Sequence, residues 1–175
     1  MRFGWSAFCS ALLALCLVAA RPAAAQVSAY VDFSADRITN NGGTNYLFGP
    51  TIGLTANLVT LHNLTVGADL RASLMGGSQR LDGIAIGPVF SASSKGIKAY
   101  AEILTGFARY NDGLGTPTST STNGVLEVIG GIDAHIKGHL DWRAIEFAYE
   151  QYFAVSSQVN PVSLSTGIVY RFGAK

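Results

Sequence analysis

From residue 27 onward, apolar positions recur at every second residue rather than every third or fourth. Val27, Ala29, Val31, Phe33 and Ala35 alternate with Ser28, Tyr30, Asp32, Ser34 and Asp36. Further on, Leu64, Val66, Ala68, Leu70, Ala72 and Leu74 alternate with Thr65, Gly67, Asp69, Arg71 and Ser73. Successive side chains of an extended chain point to opposite faces, so this period builds strands with one apolar and one polar face. Followed along the chain, it predicts eight strands near residues 27–38, 46–58, 63–74, 83–92, 97–110, 125–136, 140–151 and 162–172. The connections at 39–45, 75–82, 111–124 and 152–161 are long, whereas those at 59–62, 93–96 and 137–139 are short. Strands of about ten residues, even in number and joined alternately by loops and tight turns, are the pattern of an antiparallel up-and-down transmembrane β-barrel.

The two faces differ in what they can touch. The polar faces carry Asp32, Asp69, Arg71, Lys98, Glu102, Glu127, Asp133 and Arg171, and the opposite faces carry Leu64, Val66, Leu70, Ile84, Ile86, Ile103, Leu126, Val128, Ile132 and Ile168. A basic group at the bilayer midplane costs about 2–4 kcal/mol, so the charged face belongs in the lumen. The apolar face then meets lipid, because no helical segment exists to cover it and closure removes the unpaired edges.

Two features conflict with this pattern. Pro50 and Pro88, in the related triplets Phe48-Gly49-Pro50 and Ile86-Gly87-Pro88, fall within strands although proline donates nothing to a ladder, which suggests local bulges. In strand seven Arg143 occupies an odd position while Glu146 and Glu150 are even, although all three are expected to face inward; a bulge near Ala144 or Ile145 reconciles them. Aromatic residues gather at strand ends: Tyr46, Phe48, Phe107, Tyr110, Tyr152 and Phe153 at the loop end, with Phe90, Trp142, Tyr170 and Phe172 at the turn end. They are expected to form two interfacial girdles.

Composition narrows the compartment. The charged fraction is 13% and the mean hydropathy +0.29, against about 25% charged residues in soluble proteins. The chain opens with Arg2, an apolar stretch from Phe3 to Ala20 and the small residues Ala23-Ala24-Ala25, the layout of a signal peptide cleaved after Ala25. A retained membrane anchor is the alternative. Both cysteines, Cys9 and Cys16, lie in that segment, so residues 26–175 hold no disulfide or thiolate metal site. Loss of Arg2 and Arg21 takes 12 basic residues to 10 against 11 acidic, a formal charge of −1 that offers nucleic acid no basic patch.

The run Ser165-Thr166-Gly167-Ile168-Val169-Tyr170-Arg171-Phe172, with Gly130-Gly131-Ile132-Asp133 and Trp142-Arg143-Ala144-Ile145-Glu146, resembles the small outer-membrane β-barrel family, the porin-like group related to the transmembrane domain of outer-membrane protein A. The resemblance covers the whole chain after residue 25. It implies an eight-stranded barrel among outer-membrane lipids in a bacterial envelope. It also implies that Ile168, Tyr170 and Phe172 serve as the final-strand signal read by the barrel assembly machinery. Gly173, Ala174 and Lys175 follow that aromatic, a departure from the family's terminal pattern, and the peptidoglycan-binding domain of larger family members is not expected here.

An eight-stranded barrel has room inside for little beyond side chains. Asp69, Arg71, Glu102, Asp133, Arg143 and Arg171 are therefore expected to form a lumen network whose opposite charges satisfy one another. His62 and His139 fall in turns, and only His135 lies on a polar strand face, near Asp133, with no serine adjacent in sequence. Neither a catalytic triad nor a zinc spacing is present. No cofactor is expected. The threonine-rich loop 111–124 is expected to be solvated, and Asn63-Leu64-Thr65 is a chance sequon. The reading is a monomeric outer-membrane barrel, not an enzyme, with a structural or surface-interaction role. A narrow channel for ions or small solutes and a soluble secreted ligand carrier are the alternatives.

Overall fold

The computed structural model describes residues 26–40, 43–77, 79–111, 120–153 and 160–173. The expected export segment 1–25 with its cleavage point, most of the threonine-rich loop tip, and Ala174 and Lys175 lie outside the described residues. Eight strands follow in order: β1 (Gln26–Asn40), β2 (Gly43–Leu61), β3 (Leu64–Gly77), β4 (Arg80–Ser94), β5 (Ile97–Asn111), β6 (Thr120–Lys137), β7 (Leu140–Tyr152) and β8 (Val162–Arg171). Each pairs antiparallel with its sequence neighbours and β8 closes onto β1, giving one closed up-and-down barrel.

The strands outrun the alternating segments, chiefly at the loop end. Thr39 pairs with Thr44 and Asn40 with Gly43, and Met75 pairs with Leu81, so the long connections expected at 39–45 and 75–82 are mostly ladder. Likewise Thr120, Ser121 and Thr122 pair with Asn111, Tyr110 and Arg109. Alternation stops where there is no longer an apolar environment to meet, but backbone pairing needs no apolar side chains and continues. The turn end is tight: two residues separate the strands at His62-Asn63, Lys95-Gly96 and Gly138-His139. Lys95 and Gly96 have φ of 49° and 82°, and His62 and Gly138 have φ of 55° and 59°, the signs that primed hairpin turns require.

The prolines need no bulge. Pro50 pairs with Phe33 and Pro88 with Ala68, while pairing on the other side of each lapses briefly and resumes in the same register. Each loses only the ladder bond for which it has no N–H. In β2 the shift lies instead between Asn57 and Val59. In β7 it lies between Arg143 and Glu146, with Arg143 opposite Gly167 and Glu146 opposite Ser165. Ala144 is the extra residue there, so Arg143, Glu146 and Glu150 all turn inward.

Burial follows the parity. Large apolar side chains on every strand face outward and are exposed, among them Val31, Phe33, Leu54, Leu70, Ile86, Ile103, Val128, Ile145 and Ile168. Inside, Ile38, Leu47, Met75, Leu81, Ala108 and Val125 pack together, with Tyr110 and Tyr152 against them. These apolar groups stand on the loop-end side of the lumen carboxylates along β1 and β6, where Ile38 follows Asp36 and Val125 precedes Glu127. Tyr110 and Tyr152 are thus not girdle residues: they have inward parity and plug the lumen. Tyr46, Phe48 and Trp142 do face outward.

Candidate functional site

The lumen is built around Arg143. Its guanidinium lies between two aromatic rings, 4.2 Å from the centroid of Tyr30 and 4.8 Å from that of Tyr100. Glycines opposite both rings in the ladder make that placement possible: Tyr30 faces Gly53 across β1 and β2, and Tyr100 faces Gly131 across β5 and β6. A Cβ on either glycine would collide with the tyrosine ring. Gly167 does the same for Asp32, leaving room where a Cβ would meet the carboxylate.

Arg143 ion-pairs with three carboxylates. Nη1 donates to Asp32 Oδ2 and Glu146 Oε2, each at 2.9 Å, and Nε to Asp133 Oδ1 at 3.1 Å. Arg71 donates from Nη2 to Glu146 Oε1 at 2.7 Å and from Nε to the Tyr30 hydroxyl at 3.2 Å. Tyr100 donates to Glu146 Oε2 at 2.6 Å. Tyr30 donates to Asp69 Oδ2 at 2.8 Å, and Thr55 donates to Asp69 Oδ1. Glu146, wholly buried, is thus held by two arginines and a phenol. Beside this layer a ladder of hydroxyls crosses three strands, with Ser165 donating to Ser34 at 2.7 Å and Ser34 within 2.8 Å of Thr51.

Of the residues proposed from sequence, Asp69, Arg71, Glu102, Asp133 and Arg143 do line the lumen. The expectation that their charges satisfy one another holds only in part. Nine carboxylates are buried (Asp32, Asp36, Asp69, Glu102, Glu127, Asp133, Asp141, Glu146 and Glu150) against two buried arginines, with half-buried Lys98 and Arg171 nearer the turn end. Asp36, Asp69, Glu102, Glu127 and Glu150 ion-pair with no base among the described residues, and Asp69 is held by hydroxyls alone. Neither oxygen of Asp36 and not Oε2 of Glu102 meets a hydrogen-bond donor there. Tyr152 donates to Glu150 at 2.7 Å. Buried carboxylates without bases need protons or cations to balance them, so the lumen is an acidic interior, not a self-neutral one. Sequence spacing missed this because it places side chains on faces without counting which of them converge. Tyr30, Tyr100 and Asp36 share the inward parity, the one signal that singles them out; Glu146 faces inward as the bulge near Ala144 led one to expect.

Arg171 does not join the central layer. At the turn end its Nε lies 3.0 Å from Asp141 Oδ2 and its Nη2 lies 2.8 Å from His135 Nδ1. His135 pairs with Asp141 at 2.8 Å, not with Asp133 two residues away. Asp133 instead takes Arg143 and Lys98, the latter at 3.0 Å. An open cavity of about 380 Å³ lies at this end, lined by Ser28, Asn57, Thr65, Ser91, Lys98 and His135 among others. No group of three or more metal-ligating side chains converges among the described residues.

Ile168 and Tyr170 point outward along β8 and Phe172 just after it, with the Tyr170 and Phe172 rings edge-on at 4.9 Å. Trp142, on the adjacent strand, donates to Thr166 at 3.2 Å. At the loop end Phe33 stacks on Phe48 at 6.4 Å, with Tyr46 beside them.

A closed eight-stranded ring with an apolar exterior and an interior of polar and acidic side chains has the fold of the small outer-membrane β-barrel proteins, and solved structures agree. The chain is similar to neisserial surface protein A, with a TM-score of 0.63 and 18% identity over 83% of this chain and 97% of that one. It is similar to Ail, the attachment invasion locus protein of Yersinia pestis, with a TM-score of 0.56 and 13% identity over 83% and 99%. The N-terminal β-barrel domain of Pseudomonas aeruginosa OprF matches with a TM-score of 0.51 and 12% identity over 83% and 99%. No protein-family model matches the chain, and no curated protein matches it in sequence.

Proposed function

We propose that the chain is an integral outer-membrane β-barrel protein, acting as a monomer after cleavage at Ala25, with a structural or surface-interaction role and no catalytic one. The observation that carries this reading is the segregation of the wall: large apolar side chains are exposed all round the outside while nine carboxylates are enclosed. Water does not tolerate so continuous an apolar belt, and hydrocarbon does not tolerate the ions, so the barrel suits a bilayer and not a soluble ligand carrier. Ile168, Tyr170 and Phe172 form the outward-facing series on the last strand that suits recognition by the barrel assembly machinery. His135 is engaged by Asp141 and Arg171 rather than by a serine, which supports a non-catalytic role.

The excess of acids favours one second reading, a narrow path for cations. Against it stand the apolar plug, in which Leu47 is wholly buried, and the arginine layer packed between two tyrosines. Two measurements test the proposal. The chain is expected in the detergent-extracted outer membrane with heat-modifiable gel migration, and in planar bilayers it is expected to give a flat current trace. Recovery as a soluble periplasmic protein would overturn the membrane reading; cation-selective current steps would establish the second one.

A further inference from the structure

Charge in this barrel is sorted by side of the wall. Nine of the ten described carboxylates are buried, and Asp82 is the exception. Outside, Arg37, Arg80 and Arg109 are exposed at the loop end, and Lys95 and Lys137 at the turn end. Among the described residues the exterior above and below the apolar belt is thus cationic, although the chain as a whole is close to neutral.

Arg80 and Arg109 are the two of these that come together. Asp82 sits directly opposite Arg109 in the β4–β5 ladder, and Arg80 is two residues from Asp82 on the same outward face. Asp82 holds the Arg80 Nε with both oxygens, at 2.8 and 3.1 Å, so the outer edge of the guanidinium is turned away from it. Arg109 has no partner among the described residues. Ile84, two residues beyond Asp82, and its ladder partner Phe107, two residues beyond Arg109, are exposed farther into the belt. A cleft of about 500 Å³ opens alongside, lined by Leu74, Gln79, Arg80 and Asp82 among others, and the buried Gln79 Oε1 has no hydrogen-bond donor among the described residues.

We propose that Arg80 and Arg109 seat the phosphate of an anionic lipid headgroup at the loop-end membrane surface, with its acyl chains lying on Ile84 and Phe107. The charge chooses the occupant: a guanidinium pair above an apolar surface complements a phosphate attached to acyl chains, and among the described residues no acid but Asp82 competes for it. The cleft leaves room for the rest of the headgroup. The inference rests on the membrane reading above.

The test counts lipids bound to the folded mature barrel in detergent micelles by native mass spectrometry, with phosphatidic acid and phosphatidylcholine of the same acyl chains as probes. Heat-modifiable migration first establishes that each variant is folded; wild-type chain that never shows it would count against the membrane reading itself. The wild type is expected to prefer phosphatidic acid by about tenfold, since charge-assisted pairs are the strong ones. Arg80→Gln with Arg109→Gln is expected to abolish that preference, Arg80→Lys with Arg109→Lys to retain part of it, and Lys95→Gln with Lys137→Gln to leave it intact. Equal loss from the turn-end pair would mean diffuse attraction and overturn the seat. So would an unchanged preference in the arginine double variant, or displacement of the lipid by millimolar inorganic phosphate, which would make a free anion the occupant.

Discussion

At the scale of single residues, burial and partner count separate side chains that look alike in sequence. Arg143 serves Asp32, Asp133 and Glu146 at once and fills the space between two tyrosine rings. Removing one partner of a buried ionic cluster leaves the others uncompensated, at a cost of about 3–5 kcal/mol. Arg143→Met is therefore expected to destabilise the folded barrel by that amount in urea titrations in bilayers. Asp36→Asn, at a carboxylate that ion-pairs with no base, is expected to leave stability unchanged or raise it in the same titration. Were the two variants to unfold alike, the division of the lumen into a paired arginine layer and an unpaired acidic one would be wrong. Parity places both residues in the lumen; only convergence in space distinguishes them. Gly53 and Gly131 make the same point, since their role of admitting the Tyr30 and Tyr100 rings depends on cross-strand neighbours far away in sequence.

At the scale of elements, period-two alternation located all eight strands, because each must present opposite faces to two different solvents. It misjudged their ends. β1, β2, β3 and β6 continue past the apolar positions, where Thr, Asn and Gly pair in a ladder that water tolerates as well as lipid does. The Ala144 bulge was legible, because Arg143 and Glu146 cannot otherwise share the lumen; the undisturbed register at Pro50 and Pro88 was not, since sequence does not say which neighbour a missing N–H faces. Deleting Ala144 removes the extra residue and is expected to turn either Arg143 or Glu146 toward lipid. The deletion variant should fail to reach the heat-modifiable form on refolding, whereas Ala144→Val should reach it. A deletion that folds as well as the parent would refute the role of the bulge.

For the whole molecule, the decisive property is which side of the rolled sheet meets hydrocarbon. An environment-sensitive probe at Leu70, outward and 41% exposed, is expected to be quenched by lipids brominated in the acyl chain. A probe at Asp69, its 1% exposed neighbour, is expected to be spared. The reverse result would turn the barrel inside out. Alternation along the chain, with the alternating lengths of its connections, was by itself enough to determine the fold class, the strand order, the apolar outer wall and most of the inward charges, because a strand's two faces are written locally at every second residue. Tertiary structure alone decided that Arg143 lies between Tyr30 and Tyr100, that Tyr110 and Tyr152 plug the lumen instead of joining a girdle, and that carboxylates outnumber the bases enclosed with them. Those are properties of closure, which brings side chains from all eight strands into one narrow space, and no single strand carries a record of what it will meet there.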